Sequence, residues 1–312
     1  MLVKWMLAFG LQGTALITIA PAGLAAQTAP QAPTPVVKQT LGQPWEVASA
    51  ELSLLDSGFR SMYDLDFSGA QQQFKEYERE NPGDPMGPVA EAAGLLFSEF
   101  NRLGVLQSQM FIKDPSFTCR NKLVAGPAVL GKFDLAIQRS QALAEKRLVG
   151  DGNDRDALLA LAFAAGLQAE CLALMQNRGL AAFQYARQAT SYAQRLLAVC
   201  PHCYAAYVAT EGGGYWIGSR TVPARWILRA SGFSGERRAG IRELQIVAQH
   251  AHYLAPFAEI LLMIAYLRDQ EPQQARMLLA DLTAELPEDK VFARELDRLG
   301  GAAKLEAGLI AG

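Results

Sequence analysis

Residues 51–84 read ELSLLDSGFRSMYDLDFSGAQQQFKEYERENPGD, and their reading decides the fold. Helical periodicity runs through the stretch on both sides of a short break, which predicts a helix, a turn and a second helix. Gly58 and Ala70 are small, so the two helices can approach closely, while Phe74 fills the space toward the next helix. Pro82 forbids continuation of the second helix and starts the next turn. The same register returns at 256–289, PFAEILLMIAYLRDQEPQQARMLLADLTAELPED, with Tyr266, Ala275, Leu279 and Pro287. A third, partial copy places Ala189, Ala193 and Pro201 at the corresponding steps.

These spacings resemble the tetratricopeptide repeat family. The resemblance implies an all-α fold of antiparallel helix-pair repeats that stack into a TPR-like, right-handed α-solenoid over residues 44–312. No run of alternating strand residues interrupts the helical pattern. Residues 111–132, FIKDPSFTCRNKLVAGPAVLGK, break it with Pro115, Gly126, Pro127 and Gly131 and read as an irregular insertion. Further helices are expected at 132–148, 154–175, 204–218 and 236–251. A second, shorter likeness, GFSGERRAGIREL at 232–244, is similar to a segment of the inclusion-clearance tetratricopeptide family of fungi and animals.

Outside the repeats, the first 26 residues carry Lys4, an apolar run from Trp5 to Ile19, and small residues ending at Ala25 and Ala26. This is the pattern of a secretory signal peptide; the alternative is an uncleaved anchor. Residues 27–43, rich in Pro, Gln, Thr and Ala, read as a flexible leader. The expected location is therefore periplasmic or secreted, with no integral membrane span after cleavage. The chain has 312 residues, 50% hydrophobic and 19% charged, and a formal net charge of −2. It provides no broad positive field, so nucleic acid is not an expected partner.

An oxidising compartment allows disulfides among Cys119, Cys171, Cys200 and Cys203. Cys200-Pro201-His202-Cys203-Tyr204 looks like the active-site stretch of the periplasmic disulfide oxidase family. The residues leading into it form a helix rather than the strand that such a fold requires. Pro201 occupies a repeat's terminal-proline position, which makes the motif a helix-to-helix turn. A Cys200–Cys203 disulfide can form there, and a following helix N-terminus would stabilise a thiolate. Cys119 and Cys171 either staple the insertion to the repeats or remain free thiols.

The remaining motifs point away from catalysis. There is no G-x-S-x-G, H-E-x-x-H or paired acidic motif, and no cofactor is implied. His250 and His252, two apart, point to different helix faces, so no metal site is expected. Gly212, Gly213 and Gly214 read as close helix packing or as backbone presented to a ligand. Arg220, Arg225, Arg229, Arg237, Arg238 and Arg242 read as a solvated face or an anion clamp. Carried over from the family, the concave surface takes Phe59, Met62, Tyr63, Tyr215, Trp216, Ile264 and Arg268, with Arg220 beside it. The expected function is capture of a protein or peptide partner in that groove, without catalysis. Two rivals are a small-ligand or lipid-binding solenoid with residues 111–132 as a lid, and a thiol-disulfide oxidoreductase using Cys200 and Cys203.

Overall fold

Ser53 starts the first helix by accepting the Asp56 N–H on its hydroxyl at 3.1 Å, which satisfies a donor that the helix itself cannot. The computed structural model describes residues 53–104, 125–176, 178–210 and 237–310, the side chains of 237, 268 and 301–310 excepted. The expected signal peptide, 1–26, and flexible leader, 27–43, lie outside the described residues. Helix α1 spans Leu54–Tyr63 and α2 spans Phe67–Glu80. Between them Leu65 takes a φ of 66°, a left-handed conformation that reverses the chain at a cost of roughly 1–2 kcal/mol for a residue with a Cβ. The Asp66 N–H donates back to the Ser61 carbonyl at 2.8 Å, and the Asp66 carboxylate caps α2 through Gly69 N–H at 2.9 Å.

The same turn joins α8, Ala255–Arg268, to α9, Pro272–Glu285. Gln270 has a φ of 61°, and the Glu271 N–H donates to the Tyr266 carbonyl at 2.9 Å. At this constant register Leu65 matches Gln270, Ala70 matches Ala275, Phe74 matches Leu279 and Pro82 matches Pro287. Both members of each buried pair, Ala70 with Ala275 and Phe74 with Leu279, are fully enclosed.

Helix α3 follows at Met86–Arg102, α4 at Pro127–Gly150, α5 at Arg155–Leu174 and α6 at Gly179–Val199. A short 3₁₀ helix covers Tyr204–Ala209, and α7 and α10 span Arg237–His250 and Lys290–Ile310. Among the described residues the fold is all-helical, with adjacent helices packed in pairs. Helices α2, α4, α6 and α9 end in one way. Asn81, Asp151, Cys200 and Leu286 each donate to the carbonyl four residues back. Each then accepts from the residue three further on, Asp84, Asp154, Cys203 and Asp289, at 3.0 to 3.2 Å. In three of the four turns that last residue is an aspartate whose side chain accepts a first-turn N–H of the next helix, from Met86, Ala157 and Val291. Pro82, Pro201 and Pro287 fill the second position, where a fixed φ suits the turn; Gly152 fills it in the fourth.

Two expectations are corrected. Residues 127–132 belong to α4 rather than to an irregular insertion. Gly126 donates its N–H to Glu99 Oε1 at 2.7 Å, and Pro127 enters the first turn, where its missing N–H costs nothing. The described part of the 204–218 helix is the 3₁₀ turn Tyr204–Ala209. Residues 105–124 and 211–236 lie outside the described residues.

Core packing turns on Phe74, whose ring lies against Gly58 of α1 and Gly94 of α3. A methyl group at position 58 would stand 2.7 Å from Phe74 Cδ1, and one at position 94 would stand 3.3 Å from Phe74 Cε2. Helix α5 is apolar on all sides and packs against α3, α4 and α6. It is long and apolar enough to cross a membrane, but its neighbours bury more than half of it, as they do any core helix. The first helix pair also touches the turns on either side of the last one, before α8 and after α9. Phe59 stacks on Tyr253 with ring centres 4.7 Å apart, and Asp64 Oδ1 accepts the Glu288 N–H at 2.8 Å.

Gly58→Ala is expected to destabilise the protein by about 1–3 kcal/mol, because the new methyl overpacks the Phe74 ring. Gly131→Ala, in an exposed turn of α4 with no atom near enough to clash, is expected to stabilise by up to about 1 kcal/mol. Urea unfolding of the two variants beside the parent measures both; equal shifts would refute the packing account.

Candidate functional site

The first helix of each pair turns its aromatic residues inward. Phe59 meets Phe74, Phe163 and Tyr253, with ring centres 5.1, 6.0 and 4.7 Å away. Tyr63 meets Phe97 at 6.4 Å, and Phe97 meets Phe257 at 6.0 Å. Rings at these separations, several of them edge to face, pack as one cluster contributed by α1, α2, α3, α5, the turn before α8 and the start of α8. Phe59, Met62 and Tyr63 are core residues, with 0%, 1% and 5% of their surface exposed, so a partner reaches none of them without moving a helix. Ile264 is buried likewise.

The half-buried members of the cluster are Phe97, Phe163, Tyr253 and Phe257. Glu170, on α5 two turns beyond Phe163 and within electrostatic reach of Tyr63, is half-buried, and burial lifts its carboxyl to about 7. Burial and the Glu170 charge together hold the Tyr63 hydroxyl far above the usual phenol range. A carboxyl in apolar surroundings favours its neutral form until a cation arrives to pair with it. The sequence carried one signal for this group: Glu170 is the sole charged residue between Ala157 and Leu174. Arg268 ends α8 at the position that matches Tyr63. Tyr215, Trp216 and Arg220 lie outside the described residues, as do Gly212, Gly213 and Gly214. Arg238 and Arg242 are exposed on α7.

Cys200 and Cys203 form a disulfide, with Cα atoms 5.4 Å apart. Cys200 ends α6, and its N–H still donates to the Leu196 carbonyl. The expected helix N-terminus beside Cys200 is thus replaced by a helix C-terminus, whose partial negative charge opposes a thiolate. The element after Cys203 is a single 3₁₀ turn. His202 is exposed, with Nδ1 3.2 Å from the Tyr204 hydroxyl, and Tyr204 also stacks on His250 at 4.7 Å. Cys171 is a free, buried thiol that accepts from Gln176 Nε2 at 3.8 Å, and burial pushes it up to about 11. It is therefore an inert core residue in this structure; Cys119 lies outside the described residues. Among the described residues no group of three or more His, Cys, Asp and Glu could hold a metal ion. A surface hollow of about 580 Å³ along the start of α6, lined by Leu180, Phe183, Gln184, Tyr185, Arg187 and Gln188, is open to solvent.

Because three other turns take the same backbone form without a crosslink, the disulfide adds to this turn rather than creating it. Replacing both cysteines by alanine is expected to cost about 2 kcal/mol, the loop-closure value for so short a ring. Cys200→Asn with Cys203→Asp copies Asn81 and Asp84 and is expected to recover about 1 kcal/mol through the restored cap. Thermal unfolding of the two double variants decides; no advantage for the Asn/Asp form would mean the turns are not equivalent. No family model and no curated protein sequence matches this chain.

Proposed function

We propose that this chain is a TPR-like, right-handed α-solenoid scaffold that captures a protein or peptide partner on the concave side of its first helices, with no catalysis of its own. The observation that carries this reading is the constant register between α1–α2 and α8–α9, together with the four equivalent helix-ending turns. Stacked helix pairs of one geometry generate extended surfaces suited to a partner segment. The half-buried Phe97, Phe163, Tyr253 and Phe257 supply apolar contact, and Glu170 supplies a carboxyl that a basic side chain would ionise and pair. A signal peptide over residues 1–26 and a periplasmic or secreted location fit the Cys200–Cys203 disulfide, which persists where thiols are oxidised. The place of Cys200 at a helix C-terminus weighs against the oxidoreductase alternative.

The test is capture of partners from the exporting compartment by purified mature protein, compared with Trp216→Ala and Glu170→Gln. Each variant is expected to weaken capture by about tenfold, or 1.4 kcal/mol. Capture unchanged in Glu170→Gln would move the site off this face, and turnover of a dithiol substrate by the parent protein would replace the reading with the oxidoreductase one.

A further inference from the structure

The last helix pair holds two glutamates that its packing leaves short of donors, with the exposed Asp281 beside them. Glu259 of α8 is only 6% exposed, and its Oε2 has no hydrogen-bond partner. Glu285 of α9 is half-buried, and its Oε2 is likewise enclosed and unpartnered. Asp281, one turn earlier on α9, acts on both, and the Glu259 charge acts on Glu285. The cation that reaches the group is Arg60 of α1, an exposed side chain that acts on Glu285. Helix α7, also packed on α8, adds no charge acting on either glutamate among the described residues. Just beyond Glu285, the turn into α10 brings buried Asp289 near Asp64 of α1, with Arg294 of α10 opposing. This is the turn that Asp64 holds through the Glu288 N–H.

An enclosed carboxylate oxygen without a donor is costly, whereas a protonated carboxyl is neutral and supplies its own O–H. We propose that Glu259, Asp281 and Glu285 form a proton-operated clamp at the joint between the last helix pair and α1. Protonated, they let α9 lie against α8 and hold the α9–α10 turn on the end of α1. Ionised, they repel one another, and the joint loosens.

Desolvation lifts Glu259 to about 7, and desolvation with the neighbouring acids lifts Glu285 to about 8. Both lie above the ordinary glutamate value of 4.5. The closed state therefore binds protons that the open state releases. The contribution to closure is complete below the ordinary value and is lost as pH rises through the folded values of about 7 and 8.

Hydrogen exchange of the full chain between about pH 6 and 9, corrected for intrinsic base catalysis, reads the clamp directly. Amides at the end of α1 and in residues 281–289 are expected to open about tenfold more per pH unit for each proton released, while α4 and α5 hold steady. Glu259→Gln with Glu285→Gln, neutral and nearly isosteric, is expected to flatten that dependence. Three results would overturn the proposal: pH-independent protection at the joint, loss spread evenly over α4 and α5, or a full slope in the double variant. The first two are decided on the parent protein alone, whether or not the variant folds.

Discussion

Phe74, lodged between Gly58 and Gly94, sets the spacing of α1, α2 and α3. Burying a phenylalanine side chain yields about 1.5–3 kcal/mol, and two glycines inside helices cost about 0.8–1.0 kcal/mol each. The terms nearly cancel, so the slot contributes register more than stability. Because a ring that fills two clefts at once cannot slide along either helix, α1 is fixed relative to α3. From that follows the meeting of Phe59 and Tyr63 with the rings of α3, α5 and the turn before α8.

The last pair solves the same packing problem with different residues. Met263 stands where Gly58 does and Leu279 where Phe74 does, and both are fully buried. The glycine slot that receives a ring in the first pair is thus absent from the last one, where two apolar side chains of similar size occupy those positions. The turns, by contrast, keep their backbone and vary their chemistry. Asn81 with Asp84, Asp151 with Asp154 and Leu286 with Asp289 close by main-chain bonds and an aspartate cap, while Cys200 with Cys203 closes by the same bonds and a crosslink.

This explains what was legible in the sequence. Helix periodicity and turn residues report local constraints, so the helix pairs and the breaks between them could be read directly, and the prolines at 82, 201 and 287 put three of those turns in one register. The turn at 151–154 carries Gly152 in the proline's place and the small buried Ser140 and Ala144 on the helix before it, so the repeat register passed over it. Periodicity also marks a face as apolar without saying what covers it. The concave placement of Phe59, Met62 and Tyr63 that the tetratricopeptide resemblance implies fails because their cover comes from elsewhere in the chain. Phe163 and Tyr253 are about 100 and 190 residues away in sequence, distances at which hydrophobic patterning carries no pairing information.

Acids separate the structural from the unexplained. Where the fold uses a buried carboxylate for support, it satisfies it. Glu99, 3% exposed, accepts from the Arg102 guanidinium and from Gly126 N–H, and these bonds hold it below the usual carboxylate range. Glu295, 2% exposed, accepts from Arg298 at 2.7 Å. Each has its cation one turn along the same helix, an arrangement available to any helical glutamate. Glu170, Glu259 and Glu285 lack it, and burial lifts all three toward neutrality. Unpaired buried acids weaken a fold, and local rules that a protein breaks without structural gain tend to mark the places where it does something else. In this chain those places are the aromatic face at Glu170 and the joint between its two ends.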